Sequence, residues 1–124
     1  MLVIRKEQIR VFEEARLREW LADYLKRSYP AHCAQLTNRA VSAIVESGMT
    51  RGRALGLRVP TDLRKFVHVT FLLGTDFESN GSLGWAVFIL HDEEQPDPAE
   101  RVALLEQAIL EKLTEGRMTA AAAV

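Results

Sequence analysis

The sequence predicts an all-α protein, a single-domain bundle of about five helices. Apolar residues recur at three- and four-residue spacings along most of the chain, with charged residues between them. Glycine, proline and capping residues divide the chain into segments of helical length, and no β-alternating segment longer than MLVI occurs. With 124 residues, 48% of them hydrophobic, residues 1–116 are predicted to form one domain. Residues 117–124 are expected to be a disordered tail.

The first predicted helix runs from Lys6 to Tyr29, and Pro30 ends it. A short helical turn over 31–36 is predicted to follow. The apolar residues that indicate the first helix are Ile9, Phe12, Leu17, Trp20, Tyr24 and Leu25.

The second predicted helix begins at a Thr37 or Asn38 cap and ends at Gly56 in the left-handed conformation. Gly48 and Gly52 lie in its interior, where each glycine costs about 1 kcal/mol relative to alanine. We therefore expect a neighbouring helix to cross very close to this face. The alternative is a break near Gly48, which would make the segment a helix–turn–helix.

A third helix is predicted from a Thr61 cap to Gly74, after the extended link Val59-Pro60. The fourth predicted helix, 82–91, reads SLGWAVFILH and is apolar nearly all round. This pattern is typical of a helix that is central in the core, or half core and half interface.

The last predicted helix has the clearest start signal in the chain. Asp97 is the expected N-cap, Pro98 takes the first helical position and Glu100 reaches back as in a capping box. The helix is predicted to end at Gly116.

The hexapeptide DFESNG, residues 76–81, begins like a calcium-binding loop of the helix–loop–helix type. A twelve-residue loop that starts at Asp76 requires a bidentate glutamate at its last position, and Val87 occupies that position. We therefore interpret the hexapeptide as a turn in which Asn80-Gly81 reverses the chain and Ser82 caps the next helix.

No motif predicts a catalytic site, a metal site or a cofactor. Cys33 follows His32 directly, but adjacent side chains on a helix point about 100° apart and do not face each other. A weak divalent-ion site in the acidic loop HDEEQPDPAE is the alternative to carboxylates that solvate the loop. The sequence contains no phosphate-binding loop or nucleophile elbow, so an enzyme with a small-molecule substrate is the least favoured class.

Composition and charge favour a cytoplasmic protein. No apolar run of about 18 residues predicts a membrane span, the N-terminal segment lacks the layout of a secretory signal, and Cys33 has no second cysteine to pair with. Charge is unevenly placed, since residues 37–75 carry a net +4 and residues 76–116 a net −8. The chain therefore has either a basic and an acidic side that steer a partner, or simply solvated helix faces.

A DNA-binding regulator is the alternative from another functional class. Residues 38–65 can be drawn as a DNA-reading helix–turn–helix with Arg51, Arg53 and Arg58 toward phosphates. The overall net charge of −1 argues against it, because DNA-binding domains are usually basic. No nucleic-acid partner is predicted.

Four segments together resemble one protein family: IRKEQIRVFEEA, SYPAHCAQL, SGMTRGRALGL and HVTFLLGTDFESNGSLGWAVFIL. They resemble small, uncharacterised all-helical bacterial proteins encoded in type VI secretion gene clusters, near spike-tip proteins, toxic effectors and their adaptors. The likeness covers about residues 4–112. It implies a cytoplasmic protein that binds an effector, an adaptor or a spike-associated protein, and it implies no catalytic residue. An immunity protein that neutralises an effector fits the same gene neighbourhood.

The predicted partner-binding residues are Trp20 and Tyr24 of the first helix and Trp85 and Phe88 of the fourth. Binding surfaces favour large aromatic side chains, and the fourth helix is more apolar than one core-facing side requires. The alternative is that both tryptophans are wholly internal.

Overall fold

The computed structural model describes the backbone of residues 6–116 and the side chains of residues 13–116. Predictions on the side chains of Ile9 and Phe12, and on the tail 117–124, lie outside these residues. The described chain is all-α, as predicted, and contains no strand. Its helices are α1 (Lys6–Ser28), α2 (Pro30–Ala34), α3 (Asn38–Ala54), α4 (Pro60–Leu73), α5 (Gly84–Leu90) and α6 (Pro98–Thr114). None of the helices within 6–116 is both long enough and apolar enough to cross a membrane.

Helix α4 is the centre of the bundle. Every residue from Phe66 to Leu73 is buried, because α1, α3 and α6 all pack against this helix. Helix α5 packs on α6 and on two short 3₁₀ turns, Phe77–Ser79 and Gly81–Leu83. The core thus lies around α4, and α5 forms an outer layer beside α6.

Helices α3 and α4 cross at very short distance where α3 carries glycine. A β-carbon on Gly48 would lie 2.8 Å from Val67 Cγ2 and 2.9 Å from Val67 Cα. One on Gly52 would lie 3.0 Å from Leu63 Cδ2. The predicted close helix contact is confirmed. The alternative break near Gly48 is wrong, since α3 is one continuous helix from Asn38 to Ala54.

Several predicted helix ends are confirmed. Thr37 Oγ1 accepts a hydrogen bond from the N–H of Ala40 at 3.0 Å, and an Asp97 carboxylate oxygen accepts one from the N–H of Ala99 at 3.0 Å. Gly56 has a φ of +102°, a conformation that glycine adopts at little cost at a helix end.

Three predicted capping roles are wrong. Val59, rather than Thr61, is the N-cap of α4, because Pro60 already takes the first helical position. Leu83 is the N-cap of α5 in place of Ser82. The backbone N–H of Asp97 donates to Gln95 Oε1 at 3.3 Å, so the capping-box role assigned to Glu100 is filled from the preceding loop.

The segment between α4 and α5 is a compact turn, as predicted. Gly74 ends α4 with a φ of +102°, and Asn80 Oδ1 then accepts hydrogen bonds from the N–H and the hydroxyl of Ser82. The turn extends further than expected, so that α5 begins at Gly84.

Candidate protein-binding surface

Phe88 is the most exposed large apolar side chain of the described residues, with 74% of its surface accessible. It lies on α5 opposite Ala86 and Leu90, which are 0% and 1% exposed. These two residues hold the helix against the core, and Phe88 points away from it. The helix is therefore not central in the core: one side is buried and the other is exposed, and whether the exposed side is an interface stays a prediction.

Trp85 lies on the flank of α5 that faces α6. Its ring packs partly against the core, and the ammonium nitrogen of Lys112 lies 4.6 Å from the ring centroid. A cation over a tryptophan face is attracted to the negative ring surface. Trp85 is therefore neither wholly internal nor freely exposed.

Leu104 is a further exposed apolar side chain, and it lies on α6. It is 48% exposed and lies eight residues before Lys112, on the same side of the helix as Ala108. Lys112 reaches Trp85, so the Lys112 side of α6 lies next to α5, and Leu104 lies about 80° away from it around the helix, toward solvent. We call Trp85, Phe88 and Leu104 together the α5 surface.

Glu78 fixes the turn that leads into α5. Its carboxylate accepts hydrogen bonds from Arg51 Nε at 2.6 Å and Arg51 Nη2 at 2.8 Å, and lies 3.0 Å from His91 Nε2. The hydrogen bond from Arg51 holds the pKa of Glu78 below its ordinary value; partial burial opposes this, and His91 adds to the lowering. The turn is thereby tied to α3 and to the end of α5.

This pairing also bears on the calcium question. The Glu78 carboxylate already binds Arg51, so it is occupied by a guanidinium at the position where a calcium loop requires a free oxygen ligand. Within the described residues, no group of three histidine, cysteine, aspartate or glutamate side chains is placed to hold a metal ion.

Trp20 and Tyr24 lie elsewhere, on α1. Trp20 is 40% exposed. Tyr24 is partly buried: its ring meets His68 edge-on at 5.7 Å and carries the Arg64 guanidinium at 4.8 Å from its centroid. Helix α1 packs against α2, α3 and α4, whereas α5 packs against α6. The structure therefore brings Trp85 and Phe88 together but leaves Trp20 and Tyr24 on a different face.

A partly buried polar network, centred on the buried His68, joins three parts of the fold that sequence reasoning did not connect. His68 Nε2 lies 2.6 Å from the Tyr29 hydroxyl, and His68 Nδ1 lies 2.7 Å from Glu106 Oε2. Burial raises the pKa of Glu106. The hydrogen bond and charge of His68, together with the charges of Arg64 and Lys65, lower that pKa by more than burial raises it, so the pKa lies below its ordinary value. A signal was present, since a histidine inside the apolar run FVHVTFLL requires a buried polar partner.

This network does not provide an activated nucleophile. Burial raises the pKa of the Tyr29 hydroxyl, which keeps it protonated and able to donate to His68. Cys33 is also buried, its Sγ lies 3.5 Å from the carbonyl oxygen of Leu25, and burial raises the pKa of its thiol. Both groups therefore stay protonated and serve as hydrogen-bond donors within the fold.

The three arginines considered for DNA binding are engaged within the protein. Arg51 pairs with Glu78, and Arg53 forms a two-point ion pair with Glu14 on α1. Arg58 Nη1 donates to the carbonyl oxygen of Arg53 at 3.2 Å. Two of these contacts therefore join α3 to the turn and to α1, and the third lies between α3 and the link that follows it.

Comparisons with protein-family models, with curated proteins and with solved structures found no match.

Proposed function

We propose that the protein is a cytoplasmic, protein-binding accessory factor, co-adaptor or chaperone-like, for a type VI secretion effector or its adaptor. The observation that supports the binding function best is Phe88, a phenylalanine that is 74% exposed on a helix whose opposite side is buried. Trp85, partly exposed on the same helix, and Leu104, 48% exposed on the neighbouring helix α6, are the other apolar side chains of the α5 surface. The resemblance over residues 4–112 provides the secretion context.

The energetic argument concerns what Phe88 contributes. Ala86 and Leu90 already anchor α5 in the core, so the Phe88 ring adds little to folding. Burying such a ring in a partner would contribute about 1.5–3 kcal/mol to binding. A side chain that is costly to leave in water and dispensable for the fold is a suitable anchor for a second protein.

The test is affinity capture from the native host with the tagged wild-type protein and a Phe88→Ser variant. Val59→Ser is the matched control, because Val59 is also an exposed apolar residue, at 52%, but lies just before α4. We expect the wild type and Val59→Ser to retain an effector, adaptor or spike protein encoded in a secretion cluster, and Phe88→Ser to lose it. Equal retention by all three proteins, or retention of no such protein, contradicts the proposal.

Two rival functions have distinct outcomes. If the captured protein is a toxic effector and co-expression of this chain rescues growth, the protein is an immunity factor. A DNA-binding regulator would shift duplex DNA at physiological salt through Arg51, Arg53 and Arg58. We expect no shift, because those three side chains are engaged within the fold.

A further inference from the structure

The loop that follows α5 and the first turn of α6 place exposed carboxylates beside the α5 surface. Glu93, Glu94 and Glu100 are all exposed, and within residues 13–116 none of the three forms an ion pair. Asp97 is exposed as well, and one of its oxygens accepts from the N–H of Ala99. Residues 93–100, which follow the end of α5, are therefore rich in exposed carboxylates.

The two basic residues of the segment 76–116 form no ion pair with these carboxylates. Arg101 donates from Nε to the carbonyl oxygen of Leu90 at 2.9 Å and from Nη1 to that of Gln95 at 2.6 Å. Lys112 lies over the Trp85 ring. Residues 76–116 contain ten acidic residues but only these two basic ones, and both of them are engaged with carbonyl oxygens or an aromatic ring.

Exposed acidic residues also lie on both sides of Leu104 along helix α6. Glu100, Leu104, Gln107 and Glu111 are exposed and spaced four, three and four residues apart, so they share one face of the helix. Along the helix axis Leu104 thus has an acidic residue about 6 Å before it and another about 10 Å after it; the second, Glu111, accepts a hydrogen bond from Gln107 Nε2 at 3.3 Å. An apolar centre with acidic residues at both ends is a pattern that a partner can match in shape and charge.

We propose that the α5 surface binds an amphipathic helix whose apolar face is flanked by lysine or arginine residues, an inference that rests on the protein-binding function proposed above. The apolar side chains of such a helix cover Phe88 and Leu104. Its flanking cations face the carboxylates of Glu93, Glu94 and Glu100, which accelerates association and selects against acidic partners.

The experiment uses the full-length protein and two labelled helical peptides with the same leucine face, one flanked by lysines and the other by glutamates. Fluorescence anisotropy measures binding to the wild type, to Phe88→Ser, to a Glu93→Lys/Glu94→Lys variant and to a control, Glu13→Lys/Glu19→Lys. The control changes two exposed carboxylates on α1 by the same charge. We expect the wild type and the control to bind the lysine-flanked peptide. Charge reversal beside α5 should weaken that binding about tenfold, and the weakening should shrink as salt is added.

Phe88→Ser should lose binding of the lysine-flanked peptide, and the Glu93→Lys/Glu94→Lys variant should bind the glutamate-flanked peptide better than the wild type does. Equal affinity of the wild type for the two peptides overturns the inference, as does an unchanged affinity in Phe88→Ser. Equal weakening by the α1 control overturns it too, because the effect would then come from net charge alone. If the host partner is captured through Phe88 but meets this surface with acidic or uncharged residues, the inference fails and the proposed function stands. If no host partner is captured in a way that depends on Phe88, the proposed function itself fails.

Discussion

The Nδ1 atom of His68 lies 2.7 Å from Glu106 Oε2, and this hydrogen bond joins α4 to α6 inside the bundle. The pKa of Glu106 is lowered overall, so its carboxylate is the charged acceptor and Nδ1–H of His68 is the donor. His68 Nε2 is then free to accept from the Tyr29 hydroxyl at 2.6 Å. Three separate segments of the chain meet at one imidazole ring.

We expect Tyr29→Phe to destabilise the protein by about 1–3 kcal/mol, because it leaves the buried Nε2 of His68 without its hydrogen-bond donor. Chemical denaturation monitored by circular dichroism measures the change. Tyr24→Phe is the control, since the Tyr24 ring also contacts His68 but its hydroxyl forms no hydrogen bond within residues 13–116. Equal midpoints for Tyr29→Phe and the wild type would show that the network adds no stability.

The Arg51–Glu78 pair predicts a pH dependence with a definite sign. The pKa of Glu78 is lower in the folded protein than its ordinary value, so the pair contributes stability above about pH 4.3. That stability is lost as the pH falls through the lowered folded pKa. Glu78→Gln should cost about 1 kcal/mol or less at neutral pH, because the pair is partly exposed to solvent.

The difference in unfolding free energy between the wild type and Glu78→Gln should therefore narrow as the pH is lowered toward 3. Denaturation series at several pH values measure it. Glu93→Gln, which changes an exposed loop carboxylate, should show no such narrowing. A difference that stays constant with pH would show that Glu78 stabilises the turn by packing and not by charge.

Local signals made much of the fold predictable. The caps Thr37 and Asp97 and the terminating glycines Gly56 and Gly74 act on residues within a turn of themselves, so they can be recognised from a short stretch of sequence. The close crossing at Gly48 was also predictable, because an interior glycine is costly unless a neighbour requires the space.

The polar contacts were not predictable in the same way. His68 and Glu106 are 38 residues apart, and Arg51 and Glu78 are 27 apart. Such pairs depend on how the helices pack, and many acidic residues of this chain could serve as the partner. The exposure of Phe88 was hidden for a related reason, because a helix that is apolar nearly all round has no periodicity that shows which side is buried.

The glycines of α3 allow a matched comparison. Gly48→Ala places a β-carbon 2.9 Å from the backbone Cα of Val67, which cannot move aside without shifting α4. We expect a loss of about 1–3 kcal/mol from this overpacking. Gly52→Ala meets the end of the flexible Leu63 side chain at 3.0 Å, and the helix-propensity gain of about 1 kcal/mol offsets the contact.

Urea denaturation of both alanine variants checks this order. We expect the midpoint urea concentration of Gly48→Ala to be clearly lower than that of the wild type. The midpoint of Gly52→Ala should be close to that of the wild type. If Gly48→Ala is as stable as Gly52→Ala, the two helices must separate easily at Val67, and the close crossing would not constrain the bundle.

The turn 76–81 predicts that calcium does not stabilise the protein. To bind the ion, Glu78 would have to leave Arg51, to which it is joined at 2.6 and 2.8 Å, and Val87 offers no side-chain oxygen at the closing position of the loop. A ligand that binds only the folded state raises the melting temperature. Thermal unfolding curves in about 10 mM calcium, roughly tenfold above the dissociation constants of even weak sites, should therefore superimpose on curves recorded with chelator. A rise of several degrees that Glu78→Gln abolishes would establish a calcium site and displace the interpretation of this segment as a turn.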